Sequence, residues 1–118
     1  MTSLELDPLL HQPIRTRLTA YLAARGETTF TELRQVLEVT DGNLDGHIKK
    51  LLAAGYLRAR KQRGKGRPQT LYLLSETGLQ AFQTYIQILQ ALLPEQANER
   101  ESEEVAPADE SGPSPQTT

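Results

Sequence analysis

Apolar residues recur at helical spacing in four stretches of the chain and alternate with polar residues in a fifth. The Asp7-Pro8 pair predicts a short first turn, which Pro13 separates from the main first helix. This helix carries its apolar residues on one face and ends at Gly26, a residue that favours helix C-termini. The apolar face comprises Ile14, Leu18, Tyr21 and Leu22.

The next two stretches predict a pair of short helices separated by a three-residue break. Residues 29–32 form a capping box, in which a threonine and a glutamate satisfy two free N–H groups. The second helix ends by Glu38 or Val39, because Thr40-Asp41 favours the start of a third helix that Gly55 ends. This arrangement is typical of a helix-turn-helix, although short helix pairs also occur in other all-α domains. The apolar positions are Phe30, Leu33, Val36 and Leu37 in the second helix, and Leu44, Ile48, Leu51 and Leu52 in the third.

A β-hairpin with a basic tip is predicted after the third helix. Residues 56–61 alternate like a strand, residues 69–74 are rich in apolar and aromatic side chains, and the turn between them contains two glycines and a proline. No acid lies between Gly55 and Ser75, and the bases held there repel one another, which favours an anionic partner. The alternative is a solvated hairpin that uses charge to protect its edge. The bases are Arg58, Arg60, Lys61, Arg63, Lys65 and Arg67.

A long last helix is predicted from the Ser75-Glu76-Thr77-Gly78 cap to about Leu93. It carries two apolar stripes, whereas one would satisfy the core of a monomer, so the second is expected to meet another chain. The alternative is a helix buried more deeply in its own domain. One stripe is Leu79, Phe82, Ile86, Leu89 and Leu93, and the other is Ala81, Tyr85, Ile88 and Leu92. The expected dimer contacts are Tyr85, Ile88, Leu89 and Leu92.

Charge is divided unevenly along the 118 residues. The net charge of −2 conceals a basic part, residues 1–93 at +4, and an acidic part, residues 94–118 at −6. The acidic part has no aromatic residue and few apolar ones, so we expect a disordered tail after a single folded domain over residues 1–93. The tail is expected to aid solubility; the alternative is that it competes with DNA for the basic hairpin.

The composition excludes several kinds of site. There are no cysteines, so disulfides and cysteine nucleophiles are absent, and two histidines are too few for a histidine metal cage. His11 is expected to make a local hydrogen bond. No apolar run approaches the roughly 18 residues of a membrane span. Acids near the start do not fit a secretory signal, so a cytoplasmic protein is expected.

No catalytic or cofactor motif is present. The RGKGRP segment lacks the spacing of a phosphate-binding P-loop, and no nucleophile–base pair can be assigned. We therefore expect a binding protein that is not an enzyme and uses neither cofactor nor metal. Nothing in the sequence identifies a small-molecule effector.

The order of these elements resembles the winged helix-turn-helix transcription regulators of the MarR/ArsR-like group. The matching stretches are LDPLLHQPIRTRLTAYL, TDGNLDGHIKKLLAAGYL and KGRPQTLYLLSETGLQAF, all within residues 4–85. The resemblance implies a mainly α fold with a small β-hairpin wing (α+β) and a C-terminal dimerisation helix over about residues 75–93. It also implies a short first strand near Thr28–Thr29, and a homodimer that binds operator DNA and represses or activates genes, of which repression is expected.

The resemblance assigns the recognition helix to residues 41–54 and the wing to residues 58–68. Asn43 can pair with adenine, Lys50 or His47 can reach guanine or phosphate, and Arg67 can enter a narrow minor groove. Arg15 and Arg17 are either further phosphate contacts or plain surface. The expected DNA contacts are Thr40, Gly42, Asn43, Gly46, His47, Lys49 and Lys50 on the helix, and Arg58, Arg60, Lys61, Arg63, Lys65 and Arg67 on the wing.

Two positions depart from the family pattern and leave other functions open. Related regulators tend to carry serine or a base where Asp45 and Gly46 stand, and phosphate would repel Asp45 unless it accepts a bond from a cytosine amino group. Gly42 and Gly46 either allow close approach to DNA or are tolerated surface glycines. The alternatives to DNA binding are a protein-interaction module, which suits Asp41, Asp45 and the acidic tail, and RNA binding, for which no aromatic platform is evident.

Overall fold

The computed structural model describes residues 5–64 and 66–94, so Lys65 and the predicted tail from residue 95 onward lie outside the described residues. Within these residues, four helices and three strands follow one another along the chain in the predicted order, and the strands form one antiparallel sheet. Residues 5–87 form one compact unit, and the end of the last helix, from Ile88, belongs to a second. The elements are α1 (Pro13–Arg25), β1 (Thr28–Thr29), α2 (Phe30–Leu37), α3 (Asp41–Ala53), β2 (Leu57–Gln62), β3 (Gln69–Leu74) and α4 (Glu76–Leu92).

The predicted caps set the starts of three helices. The Thr29 hydroxyl accepts a hydrogen bond from the Glu32 N–H at 3.1 Å, and the Thr40 hydroxyl accepts one from the Asn43 N–H at 3.1 Å. The Ser75 hydroxyl accepts the Gly78 N–H at 2.9 Å. Each cap satisfies an N–H that the first turn of a helix leaves without an intrahelical partner. The three hydroxyl caps are confirmed, whereas the Glu32 carboxylate, the second half of the predicted capping box, accepts the Tyr21 hydroxyl and pairs with Arg25.

The segment before α1 forms the predicted single turn. One carboxylate oxygen of Asp7 accepts the Leu9 N–H at 2.9 Å, and the Asp7 carbonyl accepts the His11 N–H at 2.8 Å. The other carboxylate oxygen accepts the Tyr56 hydroxyl at 2.5 Å, which ties this turn to the start of the hairpin. This hydrogen bond, with burial, raises the pKa of Tyr56 to about 12.

The sheet has the strand order β1-β3-β2, with Thr28 opposite Tyr72 on one side of β3 and Ala59 opposite Tyr72 on the other. The strand that the resemblance implied near Thr28–Thr29 is therefore confirmed. The hairpin begins one residue later than predicted, at Leu57. Tyr56 lies outside β2 because its N–H bonds to the Leu51 carbonyl at 2.9 Å, although its carbonyl accepts the Ser75 N–H in the register of the hairpin.

The core lies between α1, α2, α3 and the sheet, and most of the predicted apolar positions supply it. Val36 and Leu52 correct the prediction from the apolar pattern, since their side chains are 40% and 36% exposed rather than part of the core. Each neighbours a buried leucine along the chain, and consecutive helical residues point about 100° apart, so the leucine lies nearer the centre of the buried face and its neighbour lies at the edge. The buried apolar residues are Leu10, Leu18, Leu22, Leu33, Leu37, Leu44, Ile48, Leu51, Leu57, Leu71 and Tyr85.

Gly78 brings the first turn of α4 against the backbone that enters the hairpin. A Cβ atom at this position would lie 2.1 Å from the carbonyl oxygen of Tyr56 and 2.8 Å from its carbonyl carbon. The sequence indicated a capping segment here but not this contact. Only glycine allows so close an approach, and the approach positions α4 relative to β2.

Candidate nucleic-acid interface

The surface of α3 opposite the core is polar and exposed. Leu44, Ile48 and Leu51 anchor one face of α3, and the first two turns present the other face to solvent. The cap at Thr40 and the break at Glu38, which adopts a left-handed φ of 55°, set the direction in which α3 leaves α2. The predicted contacts Thr40, Gly42, Asn43, Gly46, Lys49 and Lys50 are all exposed on this element or at its cap.

The two acids on α3 are paired with bases. Asp45 lies 3.0 Å from the Lys49 ammonium, one helical turn away, and Asp41 accepts a hydrogen bond from Arg34 of α2 at 2.8 Å. Exposed pairs of this kind contribute little to stability. They do neutralise carboxylates that would otherwise repel phosphate. The negative charge of Asp45, the residue that departs from the family pattern, is therefore partly offset by Lys49. Lys49 is consequently less available to a phosphate than Lys50.

His47 is half-buried at the edge of the exposed face of α3 and contacts α1. Its Nδ1 lies 3.0 Å from a terminal nitrogen of Arg15, whose Nε donates to the Leu9 carbonyl at 2.6 Å. Burial, and then the charges of Arg15 and Lys50, lower the pKa of His47 from its ordinary value. The imidazole is therefore neutral at pH 7. Arg15 is held in place by these two bonds rather than lying free on the surface.

The hairpin carries exposed bases along β2 and into its turn. Arg63 and Arg67 both line a cleft of about 350 Å³ between the strand ends, together with Gln62, Gly64 and Gln69. Among the described residues, no acid lies within ion-pair distance of Arg58, Lys61, Arg63 or Arg67. These four cations are available to a polyanion.

Arg60 differs from the other bases of the hairpin. Its Nε and one terminal nitrogen bond both carboxylate oxygens of Glu27, at 2.5 and 2.8 Å. The hydrogen bond from Arg60 lowers the pKa of Glu27, so the pair stays ionised at neutral pH. Arg60 is thereby directed towards the segment before β1.

The predicted dimer contacts on α4 differ in exposure. Tyr85 is only 3% exposed, and its hydroxyl lies 2.9 Å from Nδ1 of His11. His11 therefore makes a hydrogen bond, but its partner is 74 residues away rather than local as predicted. Tyr85 is thus packed within its own chain. Ile88 and Leu89 are half-buried, Leu92 is 51% exposed, and Leu79 in the other stripe is 39% exposed.

A winged helix family model matches this architecture. A family described as a winged helix DNA-binding domain matches residues 14–93, which run from the second residue of α1 to just beyond the end of α4. The chain belongs to the winged helix DNA-binding domain family. The winged helix-turn-helix identification made from the sequence is confirmed, and the family is that of a DNA-binding domain rather than of an enzyme.

Three proteins are similar to this winged helix chain in sequence or in structure. An uncharacterized protein of Methanocaldococcus jannaschii is 35% identical over 83 residues, 70% of this chain and 90% of that protein. The structure of a transcriptional regulator homologue from Pyrococcus horikoshii has a TM-score of 0.67 at 28% identity, covering 71% of this chain and 83% of its own. The transcriptional repressor BigR from Xylella fastidiosa shares the fold, with a TM-score of 0.56 at 22% identity over 73% and 82% of the two chains.

Three charged residues around the winged helix-turn-helix could not be placed from the sequence. Glu27 bonds the predicted contact Arg60, which is 33 residues away, and Arg15 bonds the predicted contact His47, which is 32 residues away. Arg34 bonds Asp41, a neighbour of a predicted contact, 7 residues away. The sequence indicates only Arg15, and that as a phosphate contact or plain surface. Hydrophobic periodicity identifies buried faces but carries no information about which exposed charges meet across elements.

The acids and imidazoles of the described chain do not gather into a metal site. Residues 5–64 and 66–94 contain no group of three or more His, Asp or Glu side chains that could hold a metal ion. The carboxylates and imidazole of α3, at Asp41, Asp45 and His47, bond Arg34, Lys49 and Arg15 instead.

The same part of the chain, residues 5–64 and 66–94, has no helix that could span a membrane.

Proposed function

We propose that the protein is a homodimeric, sequence-specific DNA-binding transcription regulator that represses genes by occupying their operators. The observation that carries this proposal is that one winged helix domain combines an exposed polar face of α3 with a hairpin on which four cations have no acidic partner among the described residues. Double-stranded DNA offers a groove for the first and phosphates for the second. The Pyrococcus horikoshii relative, described as a transcriptional regulator homologue, supports the same class of function.

In this proposal α3 enters the major groove and the hairpin follows the backbone. Asn43 and Lys50, which are exposed, reach base edges or phosphates from α3. Arg58, Lys61, Arg63 and Arg67 contact phosphates, with Arg67 placed to enter a narrow minor groove. Arg60 is left out of the proposed contacts because Glu27 holds it.

The second protomer binds through α4. Leu79 and Leu92 are substantially exposed in the single chain, and apolar residues continue between them along the helix at spacings of three and four. Pairing α4 with its copy would cover these side chains, as apolar helix faces require in water. A symmetric dimer places its two α3 helices on half-sites roughly 34–36 Å apart, one turn of DNA.

Fluorescence anisotropy of the purified protein on a labelled duplex from upstream of its own gene tests the proposal. We expect tighter binding to this duplex than to a scrambled one, with two protomers per duplex. We also expect log K to fall with log salt by about 0.9 for each phosphate contacted, because binding releases counterions.

Three outcomes would contradict parts of the proposal. Equal binding to both duplexes would remove sequence specificity and leave backbone contacts alone. Absence of binding to either duplex at low salt, together with co-purification of a protein partner that survives nuclease treatment, would overturn DNA binding in favour of the protein-interaction module. A light-scattering mass of one protomer at micromolar concentration would overturn the dimer.

A further inference from the structure

Arg15 and His47 join α1 to the helix proposed to enter the major groove. The terminal nitrogen of Arg15 lies 3.0 Å from His47 Nδ1, while its Nε is fixed by the Leu9 carbonyl at 2.6 Å. A guanidinium has only N–H donors and does not lose its proton in proteins. Nδ1 of His47 must therefore accept this bond with its lone pair, and the ring proton must lie on Nε2.

We infer that Arg15, which lies outside the recognition helix, determines base specificity by holding His47 as the tautomer that carries its proton on Nε2. This inference rests on the proposed function, since it concerns the base edges that α3 meets. His47 follows Asn43 by four residues and precedes Lys50 by three, so the three lie on neighbouring positions of one helical face.

The fixed tautomer restricts the bases that His47 can contact. With Nδ1 occupied, the free ring atom Nε2 is only a donor, and it fits the acceptors N7 of a purine and O6 of guanine. Cytosine presents only an amino donor in the major groove, so it would leave two donors facing each other. Thymine also presents an acceptor, O4, so we assign His47 to a base with a major-groove acceptor and expect it to reject cytosine.

The surrounding charges favour the same state of the ring. Arg15 on α1 and Lys50 on α3 are the cations that act on His47, and with burial they oppose its protonation. A protonated ring would donate from both nitrogens and lose the bond to Arg15. The uncharged ring thus preserves both the contact to α1 and the donor at Nε2.

The tautomer can be measured without DNA, from the imidazole ¹⁵N chemical shifts of the free protein at neutral pH. We expect the wild type to show His47 protonated at Nε2 alone. Arg15→Ala and Arg15→Lys, the second of which keeps the charge but cannot make both bonds, should show mixed tautomers. Arg17→Ala is the matched control, because Arg17 lies on the same helix and bonds the Val36 carbonyl, at 3.4 Å, rather than His47. A wild-type ring protonated at Nδ1, or freely exchanging, would overturn the inference.

The effect on specificity is measured with duplexes in which each base pair of the bound half-site is changed in turn. We expect the wild type to lose roughly tenfold in affinity at one position when its base is changed to cytosine. His47→Ala and Arg15→Lys should lose this discrimination at that position, and Arg17→Ala should keep it. Uniform weakening by Arg15→Lys with base preference intact would overturn the inference. Failure of every duplex to bind would defeat the proposed function instead, while the ¹⁵N shifts would still report the tautomer.

Discussion

Replacing Arg63 and Arg67 together by alanine is expected to lower affinity for the upstream duplex by roughly one to two orders of magnitude at about 0.1 M salt. Both side chains line the cleft at the end of the hairpin, and neither has an acidic partner among the described residues. For each phosphate that the variant no longer binds, the slope of log K against log salt should fall by about one. The measurement is anisotropy across a salt series with wild-type and variant proteins.

Arg60→Ala is the control for this prediction. It removes one positive charge from the same hairpin, against two in the double variant, but Arg60 is held by both carboxylate oxygens of Glu27. We expect its salt slope to match that of the wild type. A loss in log K for Arg60→Ala half as large as that of the double variant would mean that the hairpin acts only through its total charge. An unchanged affinity in the double variant would remove the hairpin from the DNA interface.

Gly78→Ala is expected to lower the free energy of unfolding by about 3 kcal/mol, the upper end of the usual cost of overpacking. The added Cβ would lie 2.1 Å from the Tyr56 carbonyl oxygen, and a backbone atom cannot rotate away as a side chain does. The gain of up to about 1 kcal/mol from alanine in a helix offsets only part of this cost. Denaturant unfolding measures the change, and Tm should fall by roughly 10 °C or more.

Gly42→Ala provides the comparison. A Cβ at Gly42 meets nothing within 4 Å, so the variant should gain up to about 1 kcal/mol from helix propensity. The two substitutions are chemically identical and differ only in their surroundings. If Gly78→Ala were as stable as Gly42→Ala, the close approach of α4 to the hairpin would not exist in solution.

The parts of the fold that the sequence predicts are those encoded by neighbours along the chain. Thr29, Thr40 and Ser75 each cap a helix through an N–H three residues away, and the predicted helix-turn-helix and hairpin follow from such local signals. The spacing of the apolar residues in α3 reveals its buried face. The exposed face is then fixed by exclusion, so the position of the candidate contacts could be predicted as well.

The parts that could not be predicted depend on residues distant in sequence. The partner of Arg60 is 33 residues away, that of Arg15 is 32, and that of Tyr85 is 74. Exposed bases of identical type differ in availability because of these pairings, which no periodicity encodes. Tyr85 illustrates the same limit for apolar stripes: its spacing fits a dimer contact, whereas its surface is largely covered within its own chain, where His11 of the N-terminal segment packs against it.

The central claim is that α3 and the hairpin together form the DNA-binding surface. It is tested most directly by following backbone amide shifts of ¹⁵N-labelled protein while the upstream duplex is added. We predict that the largest changes fall on residues 40–50 and, in the hairpin, on Arg58, Lys61, Arg63 and Arg67, with β1 and the Arg60–Glu27 pair changing little. Changes concentrated outside both elements, or no changes at low salt, would contradict the account.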